Sequence, residues 1–200
     1  MPSLQVPGPG DDRAGLSHHQ SLGQNRLMSA DPLRRLLDAA KEGDNVAVAE
    51  LVRRTQAVLF RACAALGSPG EEEDLVQETY LRALRSMSSY RGDAPVQVWL
   101  LSIARHVCAD HVRRRQRQRR LVDRIVQYTT VRGEPAPEFS NDLLDVLDRD
   151  RREAFVLTQL IGLTYDEAAL AIGCPVGTIR SRVSRARSDL LQATQHSQAN

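Results

Sequence analysis

Gly173-Cys174-Pro175-Val176-Gly177-Thr178-Ile179-Arg180-Ser181-Arg182-Val183-Ser184-Arg185-Ala186-Arg187 reads as the turn and second helix of a helix-turn-helix. The segment before it, Thr164-Tyr165-Asp166-Glu167, has the spacing of a capping box. Behind that cap, Tyr165, Ala168, Ala169 and Ile172 recur at i, i+3, i+4, i+7 and give a short helix one apolar face. Gly173 fits a left-handed helix stop, and Pro175 fits the first turn of the next helix. In that second helix Ile179, Val183, Ala186 and Leu190 share one side. Arg180, Ser181, Ser184 and Arg185 share another, with Thr178, Arg182 and Arg187 on its flanks.

The second side is suited to nucleic acid. Arg180, Arg182, Arg185 and Arg187 meet no acid before Asp189. A guanidinium fork matches phosphate oxygens or the O6/N7 edge of guanine, and small serines between the forks let the helix axis approach a groove. A solvated basic face is the ordinary reading of an Arg-rich helix. The cap, the tight turn and the uncompensated charge together favour a DNA reader.

Outward from this stretch the chain reads as all-α: two small helical domains joined by a flexible linker, the second containing the helix-turn-helix. The apolar fraction is 42% and aromatics only 4%, so Leu, Val and Ala supply the core and helices are favoured over sheets. Residues 1–30, rich in Pro, Gly, Ser, Gln and His, have a disordered composition, and Met28 is a second candidate start. Residues 31–118 form the first domain, 119–140 the linker and 141–194 the second domain. The expected helices in the first domain are Asp31 to about Gly43, Asn45 to Leu66, Glu71 to Met87 and Val96 to about Arg115. Leu75, Thr79, Leu81, Ala83 and Leu84 are expected to face inward on the third. A short helical start at 121–126 is expected within the linker. In the second domain, Leu143, Leu144, Val146 and Leu147, and then Ala154, Phe155, Leu157 and Leu160, give two helices broken around 148–151.

The net charge of +2 hides its distribution. Glu71, Glu72, Glu73, Asp74 and Glu78 cluster at one helix start, where the helix dipole alone favours them. Asp74, Gln77 and Glu78 also form a compact patch at i, i+3, i+4 for a basic partner. Arg113, Arg114, Arg115, Arg117, Arg119 and Arg120 make a basic run, and Lys41 is the chain's single lysine. One acidic and one basic surface imply two kinds of partner. Tyr90 and Arg91 sit in a small-residue loop, expected to expose an aromatic beside the positive stripe. Single-stranded nucleic acid needs that combination.

Several classes fall away. Cys63, Cys108 and Cys174 have neither disulfide-framework nor zinc spacing, and His106 and His111 are poorly placed to share an ion, so no metal and no cofactor is expected. No apolar run reaches membrane-spanning length and the N-terminus lacks a secretory pattern, which makes a cytoplasmic protein the expectation. A DNA-processing enzyme such as a recombinase would need a nucleophile with activating groups, and no such constellation stands out. A stand-alone helix-turn-helix regulator would need an effector or phosphoacceptor domain, and residues 31–118 show no strand–helix alternation for one.

Four segments carry a family resemblance. They are 74–83 (Asp-Leu-Val-Gln-Glu-Thr-Tyr-Leu-Arg-Ala), 90–94 through 99–105, 110–114, and 162–169 with 175–182. In this order the chain resembles an extracytoplasmic-function (group 4) sigma factor of the sigma-70 family, the promoter-recognition subunit of bacterial RNA polymerase. The resemblance spans roughly residues 31–193. It implies that Asp74, Gln77 and Glu78 sit on the clamp coiled coil of the polymerase β′ subunit, and that the β flap is a further contact. It implies −10 recognition by Tyr90, Arg91, His106, Arg113 and Arg114, with Tyr90 helping to hold a flipped base. Many relatives carry Asn at the His106 position. It implies that Thr178, Arg180, Ser181, Arg182, Ser184, Arg185 and Arg187 meet the −35 element, and that an anti-sigma protein regulates the factor. Non-enzymatic, promoter-specific initiation is the expected function.

Overall fold

Caps and breakers set the helix boundaries in the computed structural model, which describes residues 31–128 and 143–198. The expectations for residues 1–30 and for the linker segment 129–140 lie outside the described residues. Seven α-helices and no strand occur among the described residues. Helix α1, Pro32–Lys41, starts with Asp31 accepting the Leu33 N–H at 3.0 Å and Pro32 in its first turn. Helix α2, Asn45–Leu66, is capped by Asp44, which accepts the Val46 and Ala47 N–H groups. Helix α3, Glu72–Ser86, has no side-chain cap, and its first-turn Glu72, Glu73 and Asp74 complement the helix dipole instead.

The corner between α2 and α3 depends on Gly67. A methyl group there would lie 2.3 Å from Leu75 Cδ1 and 2.7 Å from the Cys63 carbonyl oxygen. The same glycine donates its N–H to that carbonyl at 2.7 Å, so it has no room to withdraw.

Two expectations for this half are corrected. Leu81 and Leu84 are exposed rather than inward. The core stripe of α3 is Leu75, Val76, Thr79 and Ala83, and a helix with that stripe turns Leu81 and Leu84 to the side that carries Asp74 and Gln77. Helix α4 runs from Val96 to Tyr128 instead of ending near Arg115, so the first part of the expected linker is helical. Arg and Gln are good helix formers, and the sequence has no Gly or Pro between Val96 and Tyr128 to stop the helix.

The second half begins with a single 3-10 turn, Leu143–Val146, where a helix was expected; Leu143 and Val146 are exposed. Helix α5, Arg149–Phe155, is capped by Asp148 and passes into a π turn, Val156–Leu160, with Leu160 exposed. Helices α6, Tyr165–Ile172, and α7, Val176–Gln198, complete the described residues. One continuous buried cluster joins both halves, from Leu37, Leu59 and Leu101 to Leu157, Ile179 and Val183.

Gly67→Ala is expected to lower unfolding free energy by about 1–3 kcal/mol through overpacking. Urea denaturation reads this as a lower midpoint at unchanged slope. An unchanged midpoint would show that the corner opens freely.

Candidate nucleic-acid interface

The helix-turn-helix forms as its local chemistry dictates. Thr164 Oγ1 accepts the Glu167 N–H at 3.2 Å, and Glu167 Oε2 accepts the Thr164 N–H at 2.8 Å. Gly173 ends α6 at φ +77°, a backbone conformation that disfavours side chains. Pro175 directly precedes α7, and its carbonyl accepts the Thr178 and Ile179 N–H groups.

Ile179, Val183 and Ala186 of α7 are buried, which fixes the rotation of the helix. Arg180, Ser181, Ser184 and Arg185 are consequently all exposed. Among the described residues no carboxylate pairs with Arg180 or Arg185. The flanks differ. Arg182 is held by Asp150 of α5, and Arg187 donates to Gln159 Oε1 at 2.7 Å. Thr178 is half-buried, and its carbonyl accepts the Ser181 hydroxyl. Arg151 pairs with Asp189 at 2.6 Å, so α5 and α7 are tied at two points.

The loop between α3 and α4 departs from expectation. Tyr90 is only 8% exposed and offers no open stacking face. Its ring lies 5.0 Å from that of Trp99 between centroids, with Arg34 and Lys41 placed 5.2 and 5.4 Å from its own centroid. Its hydroxyl donates to the Ala94 carbonyl, and burial raises its pKa above the ordinary phenol value. A core-facing aromatic and a stacking aromatic look alike in sequence; the two cations from α1 decide between them. Arg91 and Asp93 at the loop tip are exposed.

Along α4, His106 is exposed, with its ring nitrogens 2.7 Å from the Ser102 carbonyl and 3.0 Å from Arg105 Nη2. Arg113 and Arg114 are exposed, and Arg113 is paired with Asp110. That pairing, together with Arg82, holds the Asp110 carboxyl below its usual range, Arg82 being the larger influence. Cys108 is buried against Cys63, whose sulfur raises the Cys108 thiol pKa well above the ordinary range. No group of three metal-binding side chains occurs among the described residues.

On α3, Asp74 and Gln77 are exposed and Glu78 is half-buried, bonded to Arg82 at 2.7 Å. Leu81 lies one further turn along this face, so the patch is acidic with an apolar edge. The i+7 spacing from Asp74 was the available sequence signal.

Arg105 joins the halves beside His106. Its Nη1 is 3.0 Å from Glu153 Oε2 of α5, with side chains only 11% and 7% exposed. Arg149 supports the same carboxylate at 2.8 Å, and Arg152 donates to the Ala65 carbonyl at 2.8 Å. None of these contacts between halves was read from sequence, because partners this far apart leave no periodic trace.

The two halves each match a known family. Residues 48–118 match Sigma-70 region 2, and residues 141–190 match Sigma-70, region 4. The chain is also 42% identical over 161 residues to the ECF RNA polymerase sigma factor SigC of Mycobacterium tuberculosis, covering 78% of this chain and 86% of that one. This chain belongs to the extracytoplasmic-function sigma factors. EcfG of Rhodopseudomonas palustris is 38% identical over 136 residues, covering 64% of this chain and 74% of its own. Among solved structures, the sigma factor RpoE of Bartonella quintana with the anti-sigma factor NepR has a TM-score of 0.55 at 32% identity, covering 73% of this chain and 94% of that one. CnrH in complex with the cytosolic domain of CnrY has a TM-score of 0.64 at 28% identity, covering 82% and 97%. As a sigma factor, the chain directs RNA polymerase to promoters and acts in transcription initiation. No helix among the described residues is long and apolar enough to cross a membrane.

The buried pair joining the halves makes a direct test. Glu153→Leu strands the Arg105 charge and is expected to cost about 3–5 kcal/mol in urea unfolding. Arg105→Met combined with Glu153→Leu should recover most of that loss. Equal destabilisation in the single and double variants would show that other contacts tie the halves.

Proposed function

We propose that this sigma factor reads the −35 element with the outer face of α7 and the −10 element with the loop at Arg91 and the exposed side of α4. The open Arg180-Ser181-Ser184-Arg185 face on a capped helix-turn-helix carries the first assignment. Arg180 and Arg185 reach base edges, while Ser181 and Ser184 contact bases or phosphates. Thr178, Arg182 and Arg187 serve phosphates. Arg182 and Arg187 reach DNA by exchanging their present partners, a carboxylate and an amide.

For the −10 element, Arg91, His106, Arg113 and Arg114 supply the exposed contacts. Tyr90 belongs to this site by shaping the loop, since its ring and hydroxyl are both engaged in the fold. His106 offers an imidazole donor or acceptor beside the bases and sets a base preference of its own.

Asp74, Gln77 and Glu78 dock on the clamp coiled coil of the β′ subunit, with Leu81 adding an apolar contact at the patch edge. The second half meets the β flap. An anti-sigma protein holds the factor inactive in the cytoplasm. Support for that last reading is the likeness to RpoE and CnrH, whose structures contain the partners NepR and the cytosolic domain of CnrY.

Transcription with core polymerase from a library of −35 variants tests the α7 assignment. Arg180→Ala and Arg185→Ala are each expected to cost about 1–3 kcal/mol and relax preference at one or two positions. Arg187→Ala should weaken every promoter alike and reduce the salt slope by about one. If all three variants keep the parental −35 preference, α7 is not the reader.

Replacing both Asp74 and Glu78 with Lys should weaken binding to core polymerase while thermal unfolding changes little, because surface substitutions usually stay within about 0.5 kcal/mol. Unchanged polymerase affinity in that variant removes the patch from the interface.

A further inference from the structure

Helix α1 lies before residue 48, where the matched family segment begins, yet it holds the loop assigned above to the −10 element. It does so at both ends. At the start of the loop, Lys41 Nζ donates to the Tyr90 carbonyl at 3.1 Å and lies over the Tyr90 ring. At its end, Asp31 Oδ2 accepts the Val96 N–H at 2.8 Å, while Oδ1 of the same carboxylate caps α1. One aspartate therefore caps two helices and fixes the start of α4 relative to α1. Between these anchors the Tyr90 hydroxyl closes the loop onto the Ala94 carbonyl. Gly92, at φ +87°, makes the turn between the exposed Arg91 and Asp93. Only the tip is left open to a ligand.

The choice of cation is informative. Lys41 is the only lysine in a chain that otherwise uses arginine. A compact ammonium fits between a ring face, a carbonyl and the Asp38 carboxylate, which lies at 3.8 Å. Arg34, paired with Asp38 at 2.9 Å, approaches the Tyr90 ring as the second cation. Each is a cation–π contact, and together they hold the ring in place.

We propose that Asp31 and Lys41 are positioning residues: they set the geometry of the 90–95 loop and, through it, base preference at the −10 element. This rests on the assignment of the loop to that element made above. Neither side chain needs to touch DNA. A displaced tip changes how well each base fits, so their loss alters preference rather than general affinity.

The test uses the full chain with core polymerase on a library of single-base −10 variants. Lys41→Met and Asp31→Ala are expected to reduce discrimination by about tenfold at the loop-dependent positions, the scale of one charge-assisted hydrogen bond. Core-polymerase affinity and −35 preference should stay within about twofold of the parent. Lys41→Arg keeps a cation and a donor but not the compact ammonium, and should recover discrimination only in part. A uniform loss across the library, or unchanged discrimination, overturns the proposal. So does a fall of about one in the salt slope for Lys41→Met, which would make Lys41 a phosphate contact. Arg91→Ala tests the loop assignment separately. If it relaxes −10 preference and Lys41→Met does not, only the positioning role fails. If Arg91→Ala changes nothing, the loop assignment fails and the positioning role falls with it.

Discussion

The burial of α4 over a wide arc governs the rest of the molecule. Val96, Leu100, Ala104 and Val107 fall along one sector, and Val98, Leu101, Cys108 and Ala109 extend it. Helices α1, α2, α3 and α6 all pack on this helix. A helix surrounded on that scale cannot turn about its axis without exposing apolar area, at about 25 cal/mol per Å². Its rotation is therefore fixed, and with it the direction of His106, Arg113 and Arg114. The proposed −10 interface takes its geometry from a core it does not belong to.

Arginines in this protein divide by what faces them. Arg82, Arg105 and Arg151 are tied to carboxylates across helix boundaries and fasten the fold. Arg180 and Arg185 on α7, and Arg91 at the loop tip, point outward. Net charge cannot separate these groups, because a guanidinium counts the same either way. Position relative to a buried stripe separates them. The acidic residues follow the same logic: Glu153 is buried as a partner for Arg105, whereas Asp74 stays open beside an exposed leucine.

The same economy is visible at the loop and at the second helix of the helix-turn-helix. In each, a rigid element holds a short exposed segment: α1 and α4 hold Arg91 to Asp93, and α6 holds the outer side of α7. Side chains on rigid supports meet a ligand with little ordering left to do.

The sequence by itself determined whatever rests on local chemistry. The capping box at Thr164, the left-handed stop at Gly173 and the inward spacing of Ile179, Val183 and Ala186 are short-range signals, and each was legible in full. They place Arg180, Ser181, Ser184 and Arg185 on one open face. The acidic patch was legible for the same reason, while its leucine edge was missed because the stripe of α3 was phased toward Leu81. Tertiary structure alone decided the fate of Tyr90. Its neighbours Arg34 and Lys41 lie about fifty residues away along the chain, and no local pattern encodes which way a loop aromatic turns. It also decided that Arg105 faces Glu153 and that Asp31 reaches Val96. Such contacts arise only when separately formed helices meet. Periodicity specifies which face of a helix is buried, and packing specifies what lies against it.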